Sequence, residues 1–588
     1  MRIADYVVSK IIESGVDKVF LVNGRGMLFL SDAIAKSGIG YVCTHHEQAA
    51  VFASMAYSYT SGKIGACFVS TGCASTNVLT GILCAYQDEI PLIVISGQNT
   101  LKETTRHSGL NVRTFGQQEA DIIKIVESIT KYAVMVENPS EIGEILQKAI
   151  TLATSGRKGP VWIDIPLDIQ NVRIELDSMD SGVLQDDNLR IKNLKIDTTH
   201  IRLVNDLLKE SKRPILLLGH GSKDYRNIVR EFAQHCGIPV CYERSSVDIY
   251  GRGFHNAIGA IGSIGANRAG NLAVANADLI LAVGARLDST TTGEIDSFAR
   301  EAKVVIIDRD EIETQKLSGE KFSIRLIGEI DAILSQLKYS EYKEWLDKCL
   351  TYKREFSAFD INGSDGGICL YKLAESLDRA LPKEVNFICD SGLEELILPT
   401  SIAFGDGRLC VESFSQGCMG LALPASYGAY LGNNKMSVAV IGDGSFMMNL
   451  QELQTIIHHG FPIKIIIANN NGYGVIRKRQ KDLFKNRTIG NDKSDGLSFP
   501  CFEKIARAFG IEYMRIDSES SLDSGLDALI AKSGAVLCEI KTASNQVYLH
   551  SGFYKSQSGK ILKSPLEYQS PFLPQDVFLE SMVIQPIL

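Results

Sequence analysis

Two short apolar runs between residues 438 and 472 each end in a glycine-rich polar turn, and no other stretch constrains the fold as strongly. The run Val438–Ile441 leads into Gly442-Asp443-Gly444-Ser445. After a predicted helix at Met447–His459, the run Ile463–Ala468 leads into Asn469-Asn470-Asn471-Gly472. A strand, a helix and a second strand in this order predict neighbouring parallel strands. In open α/β sheets, ligands bind at the carboxyl ends of such strands.

Oxygen donors stand at both predicted strand ends. The carboxylate of Asp443 and the amide oxygen of Asn470 are hard ligands of the kind that suits Mg²⁺. Gly444 lets the backbone approach a diphosphate closely, and the N-terminus of the following helix favours negative charge. A Gly-Asp-Gly sequence alone is usually an ordinary turn. The full arrangement of strands, turns and helix is far rarer, and it predicts a metal and diphosphate site.

The rest of the chain continues the same alternation. Runs of β-branched residues bounded by glycines alternate with amphipathic, helix-length stretches over the 588 residues, which predicts an α/β fold of parallel sheets in about three domains. The net charge of −8 and the lack of a dense Lys/Arg tract disfavour nucleic acid as a partner. The apolar runs are too short to span a membrane. The 13 scattered cysteines, without a C-x-x-C pair, indicate reduced thiols in a cytoplasmic protein.

The motifs at 438–472 resemble the signature of the thiamine-diphosphate enzymes. The resemblance implies that the backbone carbonyl of Gly472 is the third protein ligand of Mg²⁺. It also implies that Glu47, which follows the predicted strand Tyr41–Thr44, handles a proton of the coenzyme's pyrimidine ring. Met419 would hold the coenzyme in its bent shape, and Gly392 would contact it through its backbone. The implied coenzyme-binding residues are Glu47, Gly392, Met419, Gly442, Asp443, Gly444, Ser445, Asn470 and Gly472.

Over almost its whole length the chain is similar to the acetolactate synthase (acetohydroxyacid synthase large subunit) family. In the first block this rests on residues 71–77, 117–121 and 156–166, and Gln118 matches the active-site glutamine of that family. The resemblance implies three doubly wound parallel-sheet domains. These are a pyrimidine-binding domain at 1–176, a Rossmann-like, FAD-binding-like middle domain at 198–340 and a diphosphate and Mg²⁺ domain at 367–545. A linker at 177–197, a connection at 341–366 and a tail at 546–588 complete the chain. In this family Glu47 and the Asp443 motif of one site come from different subunits, so we expect a homodimer or homotetramer.

The middle block carries segments similar to the FAD-binding elements of that family. Gly219-His220-Gly221 follows a predicted strand, and residues 282–288 and 304–308 add a second glycine turn and an acid after strands. A glycine turn suits a pyrophosphate, and a carboxylate suits a ribose. We therefore expect FAD in a structural role, held by Arg157, Gly219, Gly221, Gly284, Arg286 and Asp308.

Four departures from the family's motifs fall where the second substrate should bind. Where the family has an arginine that would hold an acceptor's carboxylate, this chain has Thr290. Where the family has a lysine after Ile-Pro, this chain has Leu167. Gln117 replaces the family's pocket phenylalanine, and Arg479 replaces the tryptophan of its Gln-Trp-Gln motif. The loss of an arginine and a lysine removes the cations that a 2-keto acid acceptor would use. A further departure places Glu394 in the segment that helps bind the diphosphate, where an acid is unfavourable unless it points away.

These observations predict a carboligase that decarboxylates pyruvate and transfers its two-carbon hydroxyethyl unit to a ketone or aldehyde. The predicted acceptor is a nucleotide-activated keto-sugar, as in the yersiniose type of branched-chain-sugar carboligase, which would place the enzyme in carbohydrate biosynthesis. The alternatives are an acetolactate synthase with pyruvate as acceptor, and a 2-keto acid decarboxylase or pyruvate oxidase. An inactive scaffold subunit is disfavoured, because such a protein has no physical reason to keep Glu47, Asp443, Asn470 and Met419 together.

Overall fold

The computed structural model describes residues 1–175, 196–357, 359, 361, 366–405, 407–555 and 559–587. It confirms the predicted α/β class, because three six-stranded sheets follow one another along the chain. The predicted domain limits stay a prediction, and residues 177–195 of the predicted linker lie outside the described residues. Within the described ranges, no helix has the length and apolar character needed to cross a membrane.

The first sheet has the strand order β2-β1-β3-β4-β6-β5, and all its strand pairs are parallel. Strands β3, β4 and β6 consist entirely of buried residues, as expected for a parallel sheet with helices on both faces. The strands are β1 (Lys18–Leu21), β2 (Gly40–Cys43), β3 (Gly65–Val69), β4 (Leu92–Gln98), β5 (Tyr132–Met135) and β6 (Pro160–Pro166). The helices are Ile3–Glu13, Leu28–Ser37, Glu47–Ser61, Cys73–Thr76, Leu79–Gln87, Thr105–Ser108, Ile122–Val126, Ile142–Thr154 and Leu167–Gln170.

The middle sheet has the order β12-β11-β10-β7-β8-β9, again with parallel pairs. This is the strand order of the doubly wound dinucleotide-binding folds. The strands are β7 (Pro214–Leu218), β8 (Val240–Tyr242), β9 (Ala257–Ala260), β10 (Leu279–Val283), β11 (Lys303–Asp308) and β12 (Ile324–Ile327). The helices are Thr198–Glu210, Arg226–Cys236, Arg268–Ala275, Ser289–Thr292, Glu311–Thr314, Ile330–Leu334 and Lys343–Glu355.

The third sheet has the order β14-β13-β15-β16-β18-β17, which repeats the topology of the first. The strands are β13 (Val385–Cys389), β14 (Arg408–Val411), β15 (Ser437–Gly442), β16 (Lys464–Asn469), β17 (Glu512–Ile516) and β18 (Val536–Lys541). The helices are Leu370–Ala380, Leu393–Ser401, Ala422–Asn433, Asp443–Phe446, Glu452–His459, Gly474–Leu483, Phe502–Phe509 and Leu522–Ala531. A hairpin of β19 (Phe553–Lys555) and β20 (Ile561–Lys563) and a helix at Gln575–Ser581 follow.

One predicted helix differs from the structure. The helix expected over Met447–His459 begins only at Glu452 and ends at His459, and a separate short helix, Asp443–Phe446, lies before the predicted start. Between them, the side-chain amide of Asn449 donates to the carbonyl oxygen of Gly420 at 2.8 Å and to Oε1 of Gln48 at 3.0 Å. These tertiary hydrogen bonds hold the chain in a turn that local helix propensity does not predict.

Two helices from different sheets pack in direct backbone contact. Helix Glu47–Ser61 lies against helix Ala422–Asn433, and a Cβ atom on Gly428 would lie 2.2 Å from the carbonyl oxygen of Ala53. A Cβ atom on Gly432, one turn later, would lie 2.1 Å from Oγ1 of Thr60. The close approach therefore depends on glycine at both positions, and it fixes the N-terminal part of the chain against the third sheet.

Candidate active site

The turns after β15 and β16 meet at one edge of the third sheet. Gly442 at the end of β15 pairs with Ala468 of β16, so Asp443 and Asn470 follow neighbouring strand ends. The buried carboxylate of Asp443 accepts hydrogen bonds from the backbone N–H groups of Gly444 at 2.7 Å and Gly472 at 3.0 Å. Burial raises the pKa of Asp443 to about 7. The site thus holds a desolvated carboxyl that a nearby cation would keep ionised.

Asn470 supplies a second oxygen at this edge. Its Oδ1 atom is buried and has no hydrogen-bond partner among the described residues, and such an unpaired oxygen costs about 1–3 kcal/mol. Over the same residues, no group of three or more His, Cys, Asp or Glu side chains is arranged to hold a metal. A divalent ion here would therefore use one carboxylate, one amide oxygen and the backbone carbonyl implied at Gly472. This donor set fits Mg²⁺.

Both turns open into a cavity of about 600 Å³, a size that suits a cofactor or small ligand. No side chain fits at Gly444, because a Cβ atom there would lie 2.0 Å from the Tyr473 ring. The predicted residues that line the cavity are Gly392, Met419, Gly442, Asp443, Gly444, Ser445, Asn470, Gly472, Thr290 and Arg479.

The predicted residues of the N-terminal block do not line this cavity: Glu47, Gln117, Gln118 and Leu167 all lie elsewhere. Glu47 begins its helix, half-buried, and its carboxylate accepts a hydrogen bond from Nδ2 of Asn77 at 2.9 Å. The two glutamines are exposed. One chain therefore brings together the metal and diphosphate residues, but not the carboxylate predicted to act at the pyrimidine ring.

Glu394 lies in the predicted diphosphate cradle. A Cβ atom on Gly392 or on Gly442 would lie 2.3 Å or 2.7 Å from its Oε1 atom, so its carboxyl group covers both glycines. This oxygen is buried and has no hydrogen-bond partner in the described part of the chain. Burial and the neighbouring Asp390 raise the pKa of Glu394 well above its usual range. The carboxyl points into the cradle rather than away from it.

Three charged residues beside the cavity, two of them buried, are missing from the sequence prediction. Arg244 donates a hydrogen bond to Oε1 of Glu395 at 3.0 Å, and its Nε lies 3.6 Å from Oε1 of Glu412. Burial raises the pKa of Glu412 to about 8. The three residues come from distant segments without a shared motif. The only local signal is that Arg244 and Glu412 follow closely after the buried strands β8 and β14.

The residues predicted to hold FAD are engaged within the chain. The N–H of Gly221 donates to the carbonyl of Gly284 at 2.9 Å, and a Cβ atom on Gly219 would lie 2.3 Å from Cα of Ala285. The carboxylate of Asp308 accepts from the Asp310 N–H at 2.9 Å. The remaining two, Arg157 and Arg286, both form ion pairs with Glu89. These residues do not fit FAD, since their backbone and charged groups are already used.

Comparison with known proteins gives matches in all three blocks. Family models of thiamine pyrophosphate enzymes match residues 1–125 (N-terminal TPP binding domain), 201–337 (central domain) and 399–540 (C-terminal TPP binding domain). The acetolactate synthase isozyme 2 large subunit of Escherichia coli (strain K12) is 30% identical over 547 residues, 92% of this chain and 95% of that protein. The acetolactate synthase large subunit of Parasynechococcus marenigrum is 28% identical over 541 residues, 90% of this chain and 85% of that protein.

Proposed function

The chain belongs to the acetolactate synthase large-subunit family of thiamine pyrophosphate enzymes, and we propose that it decarboxylates pyruvate and joins the two-carbon unit to a second carbonyl compound. The observation that carries this proposal is the cavity in which Asp443, the unpaired amide oxygen of Asn470 and Met419 lie together. When bound, thiamine diphosphate supplies the carbanion that such a decarboxylation and ligation require.

The protein's own residues have distinct parts in this proposal. Asp443, Asn470 and the carbonyl of Gly472 would hold Mg²⁺, which would offset part of the negative charge of a diphosphate. Met419 would support the coenzyme from the cavity wall. Glu47 would share a proton with the pyrimidine ring nitrogen, as a general acid–base group.

The complete site requires a second copy of the chain. No residue of the N-terminal block lines the cavity, so Glu47 and Gln118 would come from a partner subunit. The loop beside Gln118 exposes three large apolar side chains, Leu110 (59%), Val112 (46%) and Phe115 (53%), which suits a surface covered in an oligomer. We propose a homodimer as the minimum unit, with a homotetramer as its assembled form.

Pyruvate is the better supported acceptor, which makes acetolactate the product. The relatives are named acetolactate synthases, and these names give no support to the keto-sugar acceptor predicted from the sequence departures.

A keto-sugar remains a second candidate because of the cavity wall. Thr290, in place of an arginine, lines the cavity, and so do Glu394 and Glu395. Arg244, which also lines the cavity, is already paired with Glu395. Without an arginine at position 290, the wall lacks the cation that would hold an acceptor's carboxylate.

Product analysis separates the two acceptors. The protein is incubated with thiamine diphosphate, Mg²⁺ and pyruvate, with and without a panel of nucleotide-activated keto-sugars, and the products are identified by intact mass. Acetolactate from pyruvate alone supports the first candidate, and a coupled sugar product without acetolactate supports the second. No consumption of pyruvate would contradict both. Thr290→Arg should raise acetolactate formation relative to sugar coupling, while Thr154→Arg, at an exposed helix end, should leave the ratio unchanged.

A further inference from the structure

The cleft between the N-terminal and middle domains, where FAD was expected, is filled by side chains. The ring of the buried His220 lies 6.3 Å from the Tyr59 ring and 4.7 Å from the Phe414 ring, measured between centroids. Nζ of Lys223 lies 3.0 Å from the centroid of the Tyr59 ring. Burial lowers the pKa of His220 to about 4, so at neutral pH the uncharged ring packs as an aromatic side chain.

Little space remains beside these rings. The cavity lined by Tyr59, His220 and Lys223 has a volume of about 70 Å³. Sites for small organic ligands have volumes of about 300–1,000 Å³, and FAD is at the large end of such ligands. The remaining space therefore suits a few water molecules.

A cluster of partly buried charges joins the walls of the cleft. Arg157 donates to Oε1 of Glu89 at 2.6 Å and to Oε2 of Glu313 at 2.6 Å. Arg286 donates to the same Oε1 of Glu89 at 3.3 Å and also bonds Oγ of Ser415. Glu89 thus lies between an arginine of its own domain and one of the middle domain, and Ser415 extends the cluster to the third.

The Glu89 side chain stays ionised at neutral pH. Burial alone would raise its pKa, but Arg157 and Arg286 outweigh this effect and lower the pKa to about 2. The carboxylate is therefore anionic at every physiological pH. Glu89 and Glu313 together neutralise the two arginines that a flavin pyrophosphate would need, and both carboxylates would repel such an anion.

We propose that this enzyme holds no flavin and that the cluster of Glu89, Arg157 and Arg286 joins its domains at the cleft where FAD was expected. A flavin would have to displace His220 and Phe414. It would also break buried ion pairs, and a buried charge that loses its partner is strongly destabilising. The inference does not depend on the acceptor, because a carboligation of this type transfers no net electrons.

Flavin content tests the proposal directly. The purified protein is denatured and the supernatant is assayed for flavin fluorescence, and the native protein is titrated with FAD while its Tm is followed. We expect no released flavin and no change in Tm. Release of flavin in stoichiometric amount, or a rise in Tm on adding FAD, would overturn the proposal. Thiamine diphosphate binding on the same preparation shows separately whether the coenzyme site is intact.

A substitution tests whether Glu89 joins the domains through Arg157 and Arg286. Glu89→Ala should lower Tm, because Arg157 and Arg286 lose their shared counter-charge, while Glu137→Ala on the exposed surface should have little effect. Equal Tm values for the two variants would contradict a joining role for Glu89. If Glu89→Ala does not fold, Glu89→Gln, which keeps the volume and removes the charge, gives the same comparison.

Discussion

Two carboxyl groups of the proposed site lie in different surroundings. Asp443 is buried and receives two backbone N–H groups at a sheet edge, so its position is fixed before any ligand arrives. Glu47 begins a helix and contacts Asn77, and it does not line the cavity that contains Asp443. In the proposal above, the first carboxyl needs a cation, whereas the second needs a partner subunit that brings the coenzyme ring to it.

Glu47→Gln should separate turnover from coenzyme binding. An amide cannot exchange a proton with the pyrimidine ring, so we expect kcat for pyruvate consumption to fall by about 10²–10⁴-fold. The Kd for thiamine diphosphate should change little, because the Mg²⁺ ligands remain. Steady-state kinetics and calorimetry measure the two quantities, with Glu13→Gln on the exposed surface as the control. An unchanged kcat would be evidence against the proposed acid–base role of Glu47.

At this scale, the sequence allows prediction only of residues that share a local motif. Asp443 and Asn470 are predictable because each directly follows an apolar strand, and adjacent parallel strands end at the same edge. Arg244, Glu395 and Glu412 are not, since their contacts join segments far apart in the chain. The orientation of Glu394 into the cradle likewise depends on tertiary packing that no local pattern encodes.

Among the elements, the helices Glu47–Ser61 and Ala422–Asn433 leave no room for a side chain at Gly428 and Gly432, where they contact each other. Gly428→Ala places a Cβ atom 2.2 Å from the carbonyl oxygen of Ala53, and the helices must move apart. We expect a loss of about 1–3 kcal/mol in the free energy of unfolding, measured by denaturant or thermal unfolding. Gly534→Ala is the matched control, because a Cβ atom there meets no atom within 4 Å. Equal stability of the two variants would contradict this account of the helix contact.

Helices and strands are predicted correctly where the sequence pattern is local, and wrongly where tertiary contacts change the backbone. Strands β15 and β16 lie where the apolar runs predict them, within one residue. The helix predicted over Met447–His459 begins only at Glu452, because hydrogen bonds from Asn449 to Gly420 and Gln48 hold the preceding residues in a turn. The middle sheet has the strand order of a dinucleotide-binding fold, yet we propose that His220 and Phe414 fill its cleft in place of a flavin. On this proposal, strand order alone does not predict the ligand.

For the whole molecule, the proposed site between subunits predicts that two inactive variants complement each other. In a mixed dimer of Glu47→Gln and Asp443→Asn chains, one of the two sites receives both intact residues. Random assortment of the chains by co-refolding should therefore restore about a quarter of wild-type activity, as the symmetry of a dimer requires. Each variant refolded alone is the control. If the mixture stays as inactive as its components, each site is built from a single chain.

A titration with thiamine diphosphate tests the central claim most directly. Calorimetry with Mg²⁺ present should show saturable binding to the wild-type protein, and chelation of the metal should abolish it. Asp443→Asn should weaken this binding by at least about tenfold, since the substitution removes the only carboxylate among the proposed ligands. Asp523→Asn, at an exposed position paired with Arg379, should bind as the wild type does. Absence of saturable binding, or equal affinity with and without the metal, would contradict the account.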